Sequence, residues 1–312
     1  MSAELKVLLT GFARAVAKGL SSAESWLNKQ KLGTSLGLEI ATHMAKNVSH
    51  WAESAKNKPA HPPTNRLSNC WTIMSGMNPT TFANLKKVSV ATLCTQLFKR
   101  GFRNVYLQGP QRLTKPTNGN LVGPAFTMRN IPAREDIDQI AAFDNPDHPQ
   151  RKGIETVPPG HVLVLDCRGE KRVASGGQIL TTRLMVRGAA GLVSDGPVRD
   201  SGDISKMDFP VYCVGGSAPL NLIYHHAIDL NVPIGCGGVA VYPGDIIVGD
   251  DEGVVVIPTH LADEVAADAA AQEVQEVFLL ERVAGGAKLP GTYPPNAETK
   301  AMFEAWKKEK GL

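Results

Sequence analysis

An arginine followed directly by an aspartate, Arg199-Asp200, is the pair of residues in this sequence best suited to bind a small anion together with a cation. The pair follows a short apolar run and a Gly-Pro turn, where neighbouring side chains need not diverge as they do in a regular strand. Arginine offers a planar fork of donors that matches a carboxylate. Aspartate offers the hard oxygen ligands that Mg²⁺ and Mn²⁺ prefer. The pair therefore predicts a site for a carboxylate and a divalent cation.

A glycine pair, Gly176-Gly177, precedes a predicted helix from about Ile179 to Arg187. The first N–H groups of a helix have no partner within the helix, so they bind anions, and glycine lets the backbone approach a ligand closely. A glycine pair alone is more often just a turn, and an Arg-Asp pair alone is more often a solvated surface pair. Their separation by only one helix and one strand favours a shared site.

The elements around these residues alternate between helix and strand, which is typical of an α/β protein. Ser89 is a plausible N-cap for a helix that ends at Gly101. Thr259 is expected to cap a long helix that reaches about Ala284, and a final short helix is expected near Lys300 to Lys308. The close spacing of the last three strands requires antiparallel or hairpin connections. The predicted strands are Leu121 to Met128, Val162 to Asp166, Gly191 to Ser194, Val239 to Tyr242, Ile246 to Val248 and Val254 to Ile257.

The chain divides by composition into a leader, residues 1–76, and a catalytic body, residues 77–312. The leader reads as helical segments followed by a Pro-rich linker that cannot continue a helix. Its first helix carries an apolar stripe with basic residues between, as a mitochondrial presequence does. Glu4 and Glu24 favour an ordinary amphipathic helix instead, because transit peptides avoid acidic residues.

The overall composition is that of a globular intracellular protein. The net charge of +3 over 312 residues gives no electrostatic argument for nucleic acid or membrane as a partner. No apolar run approaches the roughly 20 residues that cross a bilayer. The five cysteines are scattered with no C-x-x-C pair, which indicates reduced thiols rather than a zinc site. We therefore expect a cytoplasmic protein, with the mitochondrion as the alternative compartment.

Several stretches together resemble the RraA-like family, which includes the 4-hydroxy-4-methyl-2-oxoglutarate and 4-carboxy-4-hydroxy-2-oxoadipate aldolases. The resemblance covers roughly Thr80 to Ala284, and the combination of stretches is far more specific than any one of them. The stretches are Gly123 to Thr127 (GPAFT), Gly176 to Leu180 (GGQIL), Gly188 to Asp200 (GAAGLVSDGPVRD), Pro243 to Asp250 (PGDIIVGD) and Gly253 to Pro258 (GVVVIP).

The resemblance implies a fold and a set of site residues. The fold is a layered β/β/α sandwich of the swivelling-domain type, here with an N-terminal helical extension. Arg199 would bind the substrate carboxylate, and Asp200 would be the direct ligand of Mg²⁺ or Mn²⁺. Substrate-binding backbone groups would come from Gly177, Gln178, Ile179 and Leu180. The family's metal-dependent aldolases usually carry an acidic residue where this chain has Gln178, which removes one negative charge near the metal.

The activity implied is that of a metal-dependent carbon-carbon lyase acting on 2-oxo acids and releasing pyruvate. Both retro-aldol cleavage and oxaloacetate decarboxylation pass through the same enolate, so the sequence does not choose between them. Family sites lie between subunits, which implies a homotrimer or a dimer of trimers. The rival interpretation is a non-catalytic regulator that binds a ribonuclease or another protein. Methyl transfer on a quinone has no support, because no strand is followed by the glycine-rich loop of an adenosylmethionine site.

The general base is not identified by the sequence. Asp195, Asp203, His225 and His226 are candidates by composition only, and each is more simply structural. We expect the two histidines to point apart on the surface of one helix rather than to bind a metal. The run Asp250 to Glu252 is expected to be a hairpin turn, because it lacks the alternating ligand spacing of a calcium loop.

Overall fold

The computed structural model describes residues 77–116 and 119–312. The predicted helical leader lies outside the described residues, and the boundary at residue 77 stays a prediction. The helices are α1 (Pro79–Leu85), α2 (Val90–Lys99), α3 (Pro149–Thr156), α4 (Gln178–Val186), α5 (Ser201–Ile204), α6 (Ala262–Ala284) and α7 (Ala297–Lys310). The strands are β1 (Gln111–Arg112), β2 (Leu121–Ile131), β3 (Val162–Asp166), β4 (Gly191–Ser194), β5 (Val211–Cys213), β6 (His226–Leu230), β7 (Ile234–Cys236), β8 (Val239–Val241), β9 (Ile246–Gly249) and β10 (Val254–Ile257).

One mixed sheet organises the described part of the chain, with strand order β1-β5-β4-β3-β2-β9-β10. Strands β2, β3, β4 and β5 run parallel, joined in turn by α3, α4 and α5. Parallel neighbours need such crossovers, and their carboxyl ends therefore meet at one edge of the sheet. This edge is where the loops after β3, β4 and β5 come together.

The long strand β2 joins two differently built halves of the sheet. Its first residues, Leu121–Pro124, pair antiparallel with β9, whereas Ala125–Arg129 pair parallel with β3. Its last residues pair with β6, and the register shifts between Arg129 and Asn130. Strands β9 and β10 continue the sheet as an antiparallel hairpin, and β7 and β8 form a separate two-stranded sheet.

Side-chain alternation along the strands builds the layers. On β3, Val162 and Val164 enter the core between the two halves of the sheet, while Leu163 and Leu165 pack under α3 and α4. The hairpin alternates likewise: Ile247 faces the central core and Val248 faces the core shared with α1, α2 and α6. Successive strand residues point to opposite faces, so β3 and the β9–β10 hairpin each contribute to two cores. This arrangement confirms the predicted α/β sandwich, with an additional helical layer over β9 and β10.

Most predicted elements are confirmed, several with the predicted bounds. Strands β3 and β4 span the predicted residues, and Ser89 caps α2 by accepting a hydrogen bond from the Thr92 N–H at 3.1 Å. The run Asp250 to Glu252 is the turn of the β9–β10 hairpin, as expected. The final helix is longer than predicted, because it begins at Ala297 with Asn296 as its cap.

Two predictions about caps and connections are wrong. The Thr259 hydroxyl does not cap the long helix: it donates to the Gly244 carbonyl at 2.5 Å, and α6 begins only at Ala262 after a 3-10 turn. The turn at Pro243 to Asp245 does not join a hairpin either. Strand β8 pairs with β7, whereas β9 pairs with β2 and β10, so this turn connects two sheets.

The prediction that His225 and His226 lie on one helix is also wrong. His226 begins strand β6, and His225 follows a 3-10 turn, Asn221–Ile223. Pairing of β6 with the end of β2 supplies the tertiary contacts that decide the local structure here. Among the described residues, no helix has the length and apolar character needed to span a membrane.

Candidate active site

The start of α4 and the loop after β4 meet at the carboxyl edge of the parallel strands. The Arg199 N–H donates to the Gly176 carbonyl at 2.9 Å, and the Gln178 N–H donates to Asp200 Oδ2 at 3.1 Å. The first free N–H group of the helix is thus satisfied by a carboxylate, as the helix dipole favours. The sequence-predicted pairs, Gly176-Gly177 and Arg199-Asp200, are therefore brought together.

Gly177 permits this close approach because it has no side chain. A Cβ built at Gly177 would lie 2.7 Å from Arg199 Cγ and 2.8 Å from Asp200 Oδ2, inside van der Waals contact. The neighbouring Gly176 is not constrained in this way, since its Cβ would meet only Leu180 Cδ1 at 3.7 Å. The second glycine, rather than the pair, is what the geometry requires.

Asp200 is held in an uncommon backbone conformation, with φ 57° and ψ 29°. Aspartate is among the few residues other than glycine that tolerate this left-handed region. The conformation directs the side chain back towards α4, where it contacts Gln178. Its other oxygen, Oδ1, lies 3.9 Å from Arg199 Nε, and both side chains are a little less than half exposed. Both side chains are therefore accessible to a small molecule in the solvent.

The remaining predicted substrate-binding residues form the first turn of α4. Ile179 is 84% exposed and Leu180 is partly buried. Their N–H groups belong to the first turn, which has no acceptors within the helix. Gln178 is partly buried, and its backbone N–H contacts Asp200. The site thus combines a guanidinium, a carboxylate and helix N–H groups.

The donor set fits a cation that is held jointly with substrate and water. Within residues 77–116 and 119–312, no group of three or more His, Cys, Asp and Glu side chains is placed to hold a metal ion. Asp200 is one accessible carboxylate with Gln178 beside it. Mg²⁺ commonly keeps several waters and takes only one or two carboxylates together with substrate oxygens. The residues therefore fit a hydrated divalent cation rather than a caged one.

The carboxylate of Asp195, one of the four candidate bases, is fully engaged in structure. It accepts hydrogen bonds from the N–H groups of Cys167 at 2.6 Å, Gly169 at 3.1 Å and Gly237 at 3.2 Å. Burial raises the pKa of Asp195, and these three hydrogen bonds oppose the shift. Asp195 joins the end of β3 to β7, so its role is to hold the loops of the site edge.

The other three candidates have different surroundings. Asp203 lies on the exposed side of α5 and pairs with Lys206 at 3.1 Å. His226 Nδ1 lies 2.7 Å from the buried carboxylate of Asp138. His225 is 1% exposed, and neither ring nitrogen has a hydrogen-bond partner among the described residues. No contact identifies any of the three as the base.

Three polar side chains that support the site were not predicted. Ser175, Ser194 and Gln150 are buried and form hydrogen bonds to the loops that carry the site. Ser175 directly precedes the glycine pair, which is a weak sequence signal. Nothing in the sequence connects Gln150 with a loop 25 residues later.

Replacing Gly177 should disturb the site, whereas replacing Gly176 should not. The new methyl group of Gly177→Ala forces Arg199 and Asp200 to move, so we expect the free energy of unfolding to fall by about 1–3 kcal/mol. Gly176→Ala adds the same methyl group without a close contact and should change it by less than about 1 kcal/mol. Urea unfolding of both variants measures the difference. Equal effects would show that the close approach at Gly177 does not matter.

Buried His225 should make the protein less stable in mild acid. Burial, with a smaller effect of Arg168, lowers the pKa of His225 from 6.5 to about 4. Between these values the unfolded chain takes up a proton that the folded protein does not, so stability falls as the pH falls. From pH 7 to pH 5 the loss is about 2 kcal/mol.

We expect His225→Leu to remove this part of the loss, and urea unfolding at both pH values measures it. His260→Gln, at an exposed histidine, should keep the wild-type dependence. The account of His225 is wrong if His225→Leu loses as much stability between pH 7 and pH 5 as the wild type.

Comparison with known proteins identifies relatives of this chain. Over 157 residues the chain is 37% identical to a protein of Halalkalibacterium halodurans whose name gives it provisionally as a 4-hydroxy-4-methyl-2-oxoglutarate aldolase. That match covers 49% of this chain and 69% of the relative.

Solved structures share the fold. RraAS2 of Streptomyces coelicolor, described as an unusual member of the RNase ES inhibitor RraA protein family, superposes with a TM-score of 0.55 at 31% identity. This covers 70% of this chain and 98% of that one. An uncharacterized protein of Pseudomonas syringae pv. tomato gives a TM-score of 0.58 at 25% identity, over 69% of this chain and 98% of that one.

A protein-family model also matches this chain. The model is that of the RraA-like proteins, described as Aldolase/RraA, and it matches residues 90–256. The match covers more than half of the 312 residues and includes α4, Arg199 and Asp200. This chain therefore belongs to the RraA-like family.

Proposed function

We propose that this protein is a divalent-metal-dependent carbon-carbon lyase that releases pyruvate from 2-oxo acids. The observation that carries the proposal is the meeting of Asp200 and Arg199 with the first turn of α4 around Gly177. The Asp200 carboxylate, which can bind a cation, the Arg199 guanidinium, which can bind a carboxylate, and helix N–H donors lie within one small region. The name of the Halalkalibacterium halodurans relative supports the same reaction class.

The residues divide the work of binding the substrate. Arg199 binds the carboxylate next to the 2-oxo group, because its fork of donors matches two carboxylate oxygens. The N–H groups of Ile179 and Leu180 lie in the first turn of α4, where the helix dipole favours negative charge. Asp200 would hold the Mg²⁺ or Mn²⁺, with Gln178 next to it in the first turn of α4. A divalent cation, when bound, supplies positive charge that polarises the 2-oxo group.

The bond that breaks is the C3–C4 bond of the substrate. In a 4-hydroxy-2-oxo acid its electron pair moves to C3 and delocalises into the 2-oxo group, giving the enolate of pyruvate. The C4 hydroxyl gives up its proton and becomes a carbonyl, and C3 later accepts a proton. In oxaloacetate the same bond breaks with release of carbon dioxide. Arg199 stabilises the negative charge that develops in both reactions.

The neutral Gln178 affects the affinity of the site for a cation. The side chain of Gln178 is neutral, and its backbone N–H contacts Asp200, so the site has one negative ligand instead of two. We propose that a cation bound at Asp200 would also need oxygen atoms from the substrate. Metal binding and substrate binding are then strongly coupled.

We further propose a homotrimer or a dimer of trimers. The side chain of Ile179 is 84% exposed beside the polar groups of the site, and Val186 at the other end of α4 is 67% exposed. A neighbouring subunit that covered this face would bury apolar surface and exclude water from the site. Such a subunit would also be a source for the missing base.

The second candidate is a non-catalytic regulator that binds a ribonuclease or another protein. The feature that favours it is Gln178, since a scaffold that no longer needs a metal does not need an acidic residue there. The similarity to Streptomyces coelicolor RraAS2, a member of a ribonuclease inhibitor family by its description, points the same way. The two candidates differ in whether Asp200 is needed for turnover.

The protein should release pyruvate from oxaloacetate and from 4-hydroxy-4-methyl-2-oxoglutarate when Mg²⁺ or Mn²⁺ is present. A chelator should stop the reaction, and Asp200→Asn should lower kcat/KM by at least about 100-fold. Asparagine also tolerates the left-handed backbone, so this variant should fold. A coupled assay for pyruvate, corrected for the metal-catalysed rate without protein, measures each reaction.

Asp136→Asn is the matched control, because Asp136 is an exposed residue paired with Arg134. It should leave turnover unchanged. Turnover that is absent with both metals would contradict the lyase and favour the regulator. Turnover that survives in Asp200→Asn would contradict the role given to Asp200.

A further inference from the structure

A buried chain of hydrogen bonds lies beneath the candidate site. Its members are Ser194, which is fully buried, and Ser175, which is 6% exposed. The Ser194 hydroxyl donates to Ser175 Oγ at 3.0 Å, and the Ser175 hydroxyl donates to the Pro197 carbonyl at 2.9 Å. Ser194 Oγ accepts in turn from the Gly196 N–H at 3.1 Å. Each of the two hydroxyl groups therefore acts both as a donor and as an acceptor.

Each hydroxyl has only one proton to donate, and this determines which group is the donor in each hydrogen bond of the series. Cys167 Sγ lies 3.4 Å from Ser194 Oγ. Because the hydroxyl proton of Ser194 points to Ser175, the Cys167 thiol must be the donor of this pair. Burial raises the pKa of Cys167 to about 12, so the thiol keeps its proton at neutral pH. The order is Cys167 to Ser194 to Ser175 to Pro197.

Gln150 connects the same loop to α3. Its side chain is 3% exposed, and its amide donates to the Ser175 carbonyl at 3.0 Å. Ser175 also donates its backbone N–H to the Pro197 carbonyl at 2.7 Å. Ser175 therefore makes contacts in three directions: to β4, to the Gly196-Pro197 turn and to α3.

These contacts join the two parts of the candidate site. Ser175 immediately precedes Gly176 and Gly177, which lead into α4. Pro197 lies two residues before Arg199. A buried hydrogen-bond network therefore connects the α4 start with the segment before Arg199. A direct hydrogen bond from the Arg199 N–H to the Gly176 carbonyl also connects them. In a catalytic site a displacement of about 1 Å costs about 100-fold in rate.

We propose that Ser175, held by Ser194 and Gln150, is a positioning residue that sets the distance between the α4 start and Arg199-Asp200. This inference rests on the proposed function for its catalytic consequence, but its geometric content is separate. Ser175 does not touch the substrate. It acts by keeping two backbone segments at the spacing that binding and bond cleavage require.

The test compares Ser175→Ala with Ser175→Thr and Thr114→Ala. Thr114 is a matched control because it is fully buried, donates to the Phe209 carbonyl at 2.8 Å and accepts from the Val211 N–H at 3.0 Å. Its loss removes a buried hydroxyl of the same kind away from the site. We expect Ser175→Ala to lower kcat by about 10- to 100-fold with KM changed by less than about threefold.

Ser175→Thr keeps the hydroxyl and should recover most of kcat, while Thr114→Ala should stay within about twofold of wild type at a temperature where all variants are folded. A general loss of stability would not produce this split between kcat and KM, nor the recovery by threonine. If Ser175→Ala and Thr114→Ala behave alike, the positioning role is wrong.

A second readout does not depend on turnover. The Arg199 amide is bonded to the Gly176 carbonyl, so its hydrogen exchange reports the spacing directly. Ser175→Ala should speed its exchange at least about tenfold and Thr114→Ala should not. If the wild type shows no lyase activity, the proposed function fails and this exchange alone decides the positioning role. If Ser175→Ala does not fold, Gln150→Met replaces it in both the kinetic and the exchange measurements. We expect the same lower kcat and faster exchange from Gln150→Met, and behaviour like that of Thr114→Ala would contradict the positioning role.

Discussion

The close contact between Gly177 and Arg199-Asp200 is the constraint on which the candidate site depends. A helix start attracts negative charge, and here the charge comes from Asp200, whose carboxylate accepts the Gln178 N–H at 3.1 Å. That hydrogen bond forms only because residue 177 has no Cβ and because aspartate tolerates a left-handed backbone at position 200. Arg199 is drawn to the same place by its backbone bond to Gly176. One contact therefore brings Arg199, Asp200 and the first turn of α4 together.

The sheet brings these segments together, and the buried polar groups hold them there. Parallel pairing of β3, β4 and β5 collects their following loops at one edge. Asp195 joins the loop after β3 to β7 through three backbone N–H groups, and Ser175 joins the segment before α4 to the Gly196-Pro197 turn. Buried polar groups of this kind are costly unless every bond is made, so a satisfied network specifies one arrangement. Arg199 and Asp200 can then remain about half exposed without losing their alignment.

The sequence predicts those parts of this structure that local physics determines. Strands β3 and β4 have their predicted bounds because a strand buried on both faces is a continuous apolar run between turn residues. The meeting of Arg199-Asp200 with the glycines is predicted because only one helix and one strand separate the two pairs. The predictions for Thr259 and His226 are wrong because their structure depends on partners far along the chain, Gly244 and the end of β2. The contacts of Ser175 and Gln150 are not predictable for the same reason, since only the tertiary fold connects these residues. The fold class needed the family resemblance, because strand order is not encoded in any single segment.

The most direct test of the account is whether Asp200 couples a cation to a small 2-oxo acid mimic. Oxalate has the planar shape and charge of the pyruvate enolate, and calorimetry measures Mn²⁺ binding with and without it. We expect oxalate to tighten Mn²⁺ binding by at least about tenfold in the wild type, and Asp200→Asn to abolish that gain, because the substrate-like oxygens and Asp200 share the cation. Mn²⁺ affinity that is the same with and without oxalate, or a gain that persists in Asp200→Asn, would contradict the site described above.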